Sequence, residues 1–336
     1  MNIVVLGAGA VGCYLGAVLS NQHNVTLIGR EKLVNEFNQN KRLQLTDYEG
    51  RNSDFCELTV TDQPDSLADA DLILLTVKCL SVHEAAHQIQ AFAADTTPVL
   101  CLQNGIGSDD MLRHLNNPII RGTVGFNVAP MGRGLFHRGT EGDVRAEASL
   151  PQHIADSLNL AFLSMGFPFS TTRDFEALQW AKLQLNLNNA INALSDKPLK
   201  QELETLGYRR VLSMAMSELM AIVRQERLRL PKLTKLPPSW IPLSLRIPDS
   251  WFRKVASSML AIDPQARSSM WEDLNNQRMT EIDYLNGAVV RAGRDVGSPT
   301  PVNRVLVRLI KEIESGRRQP GLSSEELLHE IRHPTY

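Results

Sequence analysis

Apolar residues change their spacing partway along this chain. In the first half, short apolar runs alternate with stretches of helical period. Ile3-Val4-Val5-Leu6 is a run bounded by glycine, as expected of a strand buried on both faces. The apolar helix pattern Tyr14-Leu15-Gly16-Ala17-Val18-Leu19 follows, then a second strand, Val25-Thr26-Leu27-Ile28. Further buried strands are expected over 72–77, stopping at Lys78, and over 99–102, stopping at Gln103-Asn104-Gly105-Ile106-Gly107. Residues 119–144 are rich in Gly and β-formers and predict two or three more strands closing the same sheet. A helix is expected over 151–165 and a last strand over 167–171. After about Phe175 the pattern is helical to the last residue given. Strand–helix alternation followed by helices alone predicts an α/β domain over residues 1–172 and an all-α domain over 173–336.

One break interrupts the helical half. Residues 230–250 hold Pro231, Pro237, Pro238, Pro242 and Pro248, too many for one helix. Trp240, Trp251 and Phe252 lie in or beside this stretch and want burial, so an ordered insertion is expected.

The turn after the first strand reads Gly7-Ala8-Gly9-Ala10-Val11-Gly12, a G-x-G-x-x-G pattern between a strand and an apolar helix. That context marks a Rossmann-type dinucleotide-binding domain. Gly7 would allow the tight turn, Gly9 the approach of a pyrophosphate, and Gly12 the packing of helix on strand. The helix start would then face the phosphates, where its dipole favours negative charge. The bland alternative is a glycine turn with no ligand. Arg30 ends the second strand, where NAD enzymes usually carry Asp or Glu; an Arg there can pair with a 2′-phosphate and so favours NADPH. Glu31 follows at once, so a surface Arg30–Glu31 pair is the competing reading. Lys78 and Asn104 end two further strands on the edge where such sheets bind ligands. Taken singly, each would be a solvated lysine or an Asn-Gly turn.

Two helices of the second half carry polar residues that call for a reason. In the helix expected over 180–194, Lys182, Asn186 and Asn189 are spaced i, i+4, i+7 and share a face, while Leu183, Leu187, Ala190 and Leu194 form a core stripe. Asn is a weak helix former, so this face suits holding a polar substrate beside a proton donor; amide bonding between helices is the alternative. A second helix is expected to run from Ser268 through Gly287, carrying Ser269, Glu281 and Tyr284, with Leu274, Ile282 and Leu285 on its apolar side. Periodicity alone leaves those charges on a solvated surface.

With 336 residues the chain can hold two sizeable cores. A formal charge of −2 gives no electrostatic case for nucleic acid or an anionic membrane, and no apolar run is long enough to span a bilayer. The basic stretch around Lys311, Arg317 and Arg318 reads as a solvated helix end. Cys13, Cys56, Cys79 and Cys101 form no C-x-x-C pair and fall in expected strands or helices as small hydrophobes; a cytoplasmic protein with reduced thiols is the simplest expectation.

These residues together resemble the ketopantoate reductase (2-dehydropantoate 2-reductase) family over nearly the whole chain. The resemblance is carried by the N-terminal glycine turn, Val77-Lys78, Gln103-Asn104-Gly105, Trp180-Ala181-Lys182-Leu183 with Asn186, Ser268-Ser269-Met270 with Asp273, the segment Thr280-Glu281-Ile282-Asp283-Tyr284-Leu285-Asn286-Gly287, and Pro299-Thr300-Pro301-Val302-Asn303. The Glu-Ile-Asp-Tyr-Leu-Asn-Gly and Trp-x-Lys-Leu segments are its most specific parts. It implies NADPH-dependent reduction of a 2-keto acid, ketopantoate, to a 2-hydroxy acid on the route to pantothenate. It places the general acid on Lys182, a cofactor and substrate amide on Asn104, and a cofactor lysine on Lys78. The substrate-carboxylate serine falls on Ser269, a cofactor-side carboxylate on Glu281, and the first substrate asparagine on Asn186. For the second asparagine, helical geometry offers Asn189, and a two-residue insertion would offer Asn192. The chain departs from the family at Gly125-Phe126-Asn127, where a histidine and a small residue are usual, and in its proline-rich insertion. The expected partner is a small 2-keto acid, with a homodimer the assembly to consider.

The chemistry stands without the resemblance. Hydride transfer to a ketone builds negative charge on oxygen, and a positioned ammonium stabilises it and delivers the proton. Partial desolvation would lower the pKa of Lys182 toward that task. Two other classes stay open: a dehydrogenase of the same plan acting on another keto acid or an imine, and a non-catalytic NADP(H) sensor. A sensor needs no proton donor, so Lys182 and Glu281 argue against it.

Overall fold

The computed structural model describes residues 1–249, 251–252 and 265–334. The chain divides into two compact units, Met1–Phe175 and Glu176–Tyr336. The first contains, in order, β1 (Asn2–Leu6), α1 (Ala10–Leu19), β2 (Asn24–Ile28), α2 (Glu31–Asn40), β3 (Leu43–Asp47), β4 (Asn52–Phe55), β5 (Thr59–Thr61), β6 (Leu72–Leu75), α3 (Val82–Phe92), β7 (Val99–Cys101), β8 (Ile119–Val124), β9 (Val128–Gly132), β10 (Leu135–Arg138), β11 (Val144–Glu147), α4 (Gln152–Leu163) and β12 (Phe169–Thr172).

Its main sheet runs β12-β11-β8-β7-β6-β1-β2-β5. Every residue of β6, and all of β1 after Asn2, is buried, as the continuous apolar runs require. β1 pairs in parallel with β2 on one side and β6 on the other, Ile3 facing both Val25 and Leu72. The chain leaves β1 for one flank and returns to the other, so the end of β1 is a topological switch point. Gly7 turns there at φ +105, and a Cβ on it would stand 2.4 Å from the Val77 amide nitrogen. At Gly12 a Cβ would meet Thr76 Oγ1 at 2.6 Å, so the missing side chain lets α1 lie against the strand ends. The Thr76 hydroxyl donates to the Gly7 carbonyl at 2.8 Å and closes this contact.

The region 119–144 departs from expectation. It holds β8, β9 and β10 and leads into β11; only β8 and β11 join the main sheet, while β9 and β10 pair with β3 and β4 in a second sheet, β4-β3-β10-β9. The reason is one-sided burial. β3 and β10 alternate buried and half-buried positions and β9 is largely exposed, patterns that cannot occupy a sheet covered on both faces. In this part of the unit Arg138, 1 % exposed, reaches Asp47 at 3.0 Å, and its guanidinium packs over the rings of Tyr48, Phe126 and Phe167 at 5.4, 5.5 and 5.0 Å. Cys56 follows β4 as an exposed loop residue rather than lying in a strand, because the apolar pattern ends at Phe55.

The second unit is helical: α5 (Phe175–Asn186, whose first residue closes the first unit), α6 (Asn188–Ser195), α7 (Leu199–Glu204), α8 (Leu206–Gln225), α9 (Ile241–Ser244), α10 (Ser269–Asn275), α11 (Asn286–Asp295), α12 (Pro301–Glu314) and α13 (Ser324–Arg332). The helix expected over 180–194 is two helices meeting at Leu187, which keeps helical angles and donates to the Leu183 carbonyl at 3.0 Å. The long helix expected from Ser268 to Gly287 is broken after Asn275. Gln277 turns left-handed at φ +54, Arg278 N–H donates back to the Asp273 carbonyl at 2.8 Å, and Gln277 N–H to Leu274 at 3.0 Å. That is a Schellman stop built without glycine.

The proline-rich stretch is ordered by hydrogen bonds rather than by its tryptophans. Trp240 and Trp251 are 64 % and 67 % exposed, against expectation, and only Phe252 is buried. The fully buried Arg209 of α8 donates to the carbonyls of Leu203, Leu245 and Ile247 and pairs with Asp249, with its guanidinium 4.1 Å from the Phe252 ring centre. Gln184 of α5 donates to the Pro238 carbonyl at 2.8 Å, and Ser213 of α8 to that of Pro242 at 2.7 Å. Proline-rich backbone has carbonyls to satisfy and few N–H groups, and buried donors on α5 and α8 meet that need. In the basic stretch near the end two residues are paired rather than solvated, Arg318 bridging Glu312 and Glu330 and Lys311 meeting Asp283, while Arg317 is exposed as expected.

Asp47→Ala leaves the Arg138 guanidinium buried without its counter-charge. Losing one partner of a buried pair costs about 3–5 kcal/mol, whereas an apolar Arg138→Met/Asp47→Leu double change is expected to lose less than Asp47→Ala. Chemical denaturation of the three proteins checks the order.

Candidate functional site

In the first unit the candidate residues gather on one edge of the main sheet. Gly7 to Gly12 follow β1, Lys78 follows β6 and Asn104 follows β7, three adjacent parallel strands. Lys78 is exposed and opens a short 3₁₀ turn, Cys79–Ser81. The Gln103 side-chain amide donates to the carbonyls of Leu75 at 2.8 Å and Val77 at 3.2 Å, tying the end of β7 to that of β6. Asn104 is half-buried, with its carbonyl held by the Cys79 thiol at 3.2 Å.

The start of α1 is suited to an anion. No side chain caps it, its first turn has no acidic residue, and its Ala10, Val11 and Gly12 amides belong to the first turn, where helical N–H groups lack intrahelical acceptors. Gly9 is exposed, and a Cβ there would find only the Gly7 carbonyl, at 3.9 Å, so the space beside the backbone is open. Arg30 is exposed at the start of α2, and among the described residues no ion pair joins it to Glu31.

The second unit gathers the others. Lys182 stands on α5 among Trp180, Ala181, Leu183 and Gln184, all buried. Burial pushes its ammonium down to about 8, and the Glu281 carboxylate opposes that shift. Glu281 lies beyond the break after α10, in a turn fixed at both ends. Glu314 accepts from the Thr280 N–H at 2.8 Å and hydroxyl at 2.7 Å, and the Thr280 hydroxyl accepts from Ile282 N–H at 3.2 Å. Asn186 and Asn189 are half-buried where α5 passes into α6.

Ser269 is the exposed first residue of α10. Ser268 before it caps the helix: its Oγ accepts from Trp271 N–H at 3.1 Å and donates to the Asn189 carbonyl at 3.2 Å. Its N–H donates to Asn192 Oδ1 at 2.9 Å. Asn192 is fully buried and also donates to the Lys197 carbonyl and to Glu202. The amide of Asn192 is therefore committed within the protein, whereas Asn189 is half-buried with its carbonyl beside Ser268. Sequence reasoning named Ser268 only as the start of a helix and of a family segment, and did not single out Glu202, Glu314 or Gln184, which hold these turns. A serine directly before an apolar helix was the one available cue, for Ser268.

Among the described residues no group of His, Cys, Asp and Glu could hold a metal ion, and no helix is long and apolar enough to cross a membrane.

A Rossmann-type sheet with an open glycine turn at its switch point, joined in one chain to a helical unit bearing a depressed lysine, defines a class of dinucleotide-dependent oxidoreductase. Residues 3–149 match the family described as ketopantoate reductase PanE/ApbA, and residues 174–314 match its C-terminal counterpart. The chain belongs to the ketopantoate reductase family. A 2-dehydropantoate 2-reductase of Escherichia coli O157:H7 is 25 % identical over 327 residues, 96 % of this chain and 98 % of that protein. The crystal structure of a PanE/ApbA family ketopantoate reductase from Ralstonia eutropha JMP134 is 29 % identical, with a TM-score of 0.80 over 95 % of this chain and all of that one. A D-mandelate dehydrogenase structure with NADH and anilino(oxo)acetate shares the fold, at 23 % identity and a TM-score of 0.77 over 94 % of this chain and 99 % of that one.

Glu281→Gln removes the carboxylate that holds protons on Lys182. The Lys182 pKa is then expected to fall further below about 8. NMR titration of the labelled lysine Cε in both proteins measures it; an unchanged or higher value would show that Glu281 does not act on Lys182.

Proposed function

We propose that this chain reduces 2-dehydropantoate to pantoate with NADPH. The observation that carries the reading is Lys182, an ammonium pushed down to about 8 with Glu281 acting on it and Asn186 and Asn189 further along the same helical stretch. An acid with that pKa holds its proton at neutral pH and gives it up readily to a developing alkoxide. Ser269 and the two asparagine amides would take the substrate carboxylate and hydroxyl without adding a competing charge. In the first unit, the uncapped start of α1 and the open space at Gly9 suit a pyrophosphate, Arg30 suits a 2′-phosphate, and Lys78 and Asn104 stand on the same sheet edge. When bound, the nicotinamide supplies the hydride. Glu281 is assigned to the cofactor side. A cytoplasmic setting belongs to the same reading, as do the buried free thiols of Cys13, Cys79 and Cys101.

A second reading keeps the reaction and changes the substrate to another 2-keto acid. It is favoured by Phe126, buried against Tyr14 and Phe167 with ring centres 5.9 and 5.0 Å away, at the segment where this chain departs from the family pattern.

Lys182→Ala should lower kcat by about 10²–10⁴-fold, the range for losing a general acid, with little change in NADPH affinity. In the wild type, kcat/KM for reduction should fall as pH rises through about 8, because the neutral amine has no proton to give. Near-normal turnover in the variant would remove Lys182 from the chemistry.

Arg30→Ala should weaken NADPH by about tenfold or more and leave NADH nearly unchanged, as expected for losing one charge-assisted phosphate contact. Fluorescence titration with both cofactors decides it; equal losses would mean that Arg30 does not read the phosphate.

A further inference from the structure

Glu202 of α7 is a carboxyl group in an unusual place: 1 % exposed, with no basic side chain paired to it among the described residues. Arg209 of α8 serves backbone carbonyls and Asp249, and Arg267 pairs with Asp196. Two donors reach Glu202 Oε2, Asn192 at 2.8 Å and Asn188 at a long 3.5 Å. Its Oε1 has no partner, and neither does Asn188 Oδ1, although both are buried. An ionised carboxylate left with one good donor is poorly stabilised in such a site. An acid proton on Oε2 changes this: a half-turn of the Asn188 amide turns its oxygen toward Oε2, giving that proton an acceptor. Burial pushes the Glu202 carboxyl up to about 8, in the same direction.

The other end of this contact is Ser268, the residue before Ser269. Asn192 gives one amide hydrogen to Glu202 and the other to the Lys197 carbonyl, and its oxygen receives the Ser268 N–H at 2.9 Å. All hydrogen-bonding capacity of Asn192 but one lone pair is thus used between α7, the turn after α6, and the start of α10. We propose that Glu202 is a positioning residue that works as a neutral acid, fixing Asn192 and through it the start of α10, where Ser269 stands. The functional half of this inference rests on the reading of Ser269 as the residue that binds the substrate carboxylate.

The test compares Glu202→Gln, Glu202→Ala and Ser269→Ala with the wild type. Gln is neutral like the protonated acid and close to it in shape, and with its oxygen in the place of Oε2 it can still accept from Asn192. Glu202→Gln should keep wild-type KM and kcat and wild-type hydrogen-exchange protection of the Ser268 amide. Glu202→Ala should lose that protection and raise KM for the 2-keto acid by about tenfold, the factor carried by roughly one hydrogen bond, with a smaller change in kcat. Ser269→Ala should raise KM similarly while leaving the Ser268 amide protected. If Glu202→Gln loses protection or raises KM, the acid is needed as a charge and the proposal fails; this arm decides even if Glu202→Ala does not fold. If Glu202→Ala leaves KM unchanged while Ser269→Ala raises it, the link from Glu202 to substrate fails and the functional reading stands. If the wild type turns over no 2-keto acid, the functional reading fails, and exchange at Ser268 alone decides whether Glu202 fixes the start of α10.

Discussion

The helical unit carries the cost of holding the ammonium of a half-buried lysine among buried neighbours. Lys182 stands on a helix whose neighbouring positions, Trp180, Ala181, Leu183 and Gln184, are buried. Desolvation disfavours its charge, and the Glu281 carboxylate, brought from far along the chain, opposes that in part. Glu281 can act only from a fixed place, and that place depends on Glu314 gripping Thr280 through both its N–H and its hydroxyl.

The same economy of polar contacts runs through the rest of the unit. Asn192 and Arg209 are fully buried polar residues, and each joins segments well separated in sequence. Asn192 links the turn after α6 to Glu202 and to Ser268; Arg209 ties the proline-rich stretch, through two carbonyls and an aspartate, to the Leu203 carbonyl of α7. A buried amide or guanidinium with most of its donors used specifies one arrangement of the chain, because any other leaves donors without acceptors. In the first unit the corresponding constraint is steric. Gly7 and Gly12 let the β1 turn and α1 close on Thr76 and Val77, which leaves the helix start free of side chains.

Features with a repeating physical cause were legible in the sequence. The β1–α1–β2 start was readable because a two-faced buried strand gives an unbroken apolar run and the close turn admits only glycine. The polar residues Lys182, Asn186 and Asn189 stood out because amides are poor choices for an otherwise apolar helix. The second sheet was not legible: its strands are short and one-faced, and the hairpin between β9 and β10 carries its own positive-φ glycines, Gly132 and Gly134. The break after α10 was hidden because its left-handed residue is Gln277, which composition does not mark as a stop. Trp240 and Trp251 misled for a related reason. Aromatic content suggested that apolar burial orders the insertion, whereas hydrogen bonds from Arg209, Gln184 and Ser213 carry much of that order. Side-chain-to-backbone bonds across long sequence separations leave no periodic trace.

The most direct test of the account is a panel of 2-keto acids, 2-dehydropantoate included, assayed by initial rate with NADPH and with NADH. The account predicts the highest kcat/KM for 2-dehydropantoate with NADPH. A higher value for a different 2-keto acid would move the substrate while keeping the chemistry of Lys182. No turnover of any 2-keto acid with either cofactor would contradict it.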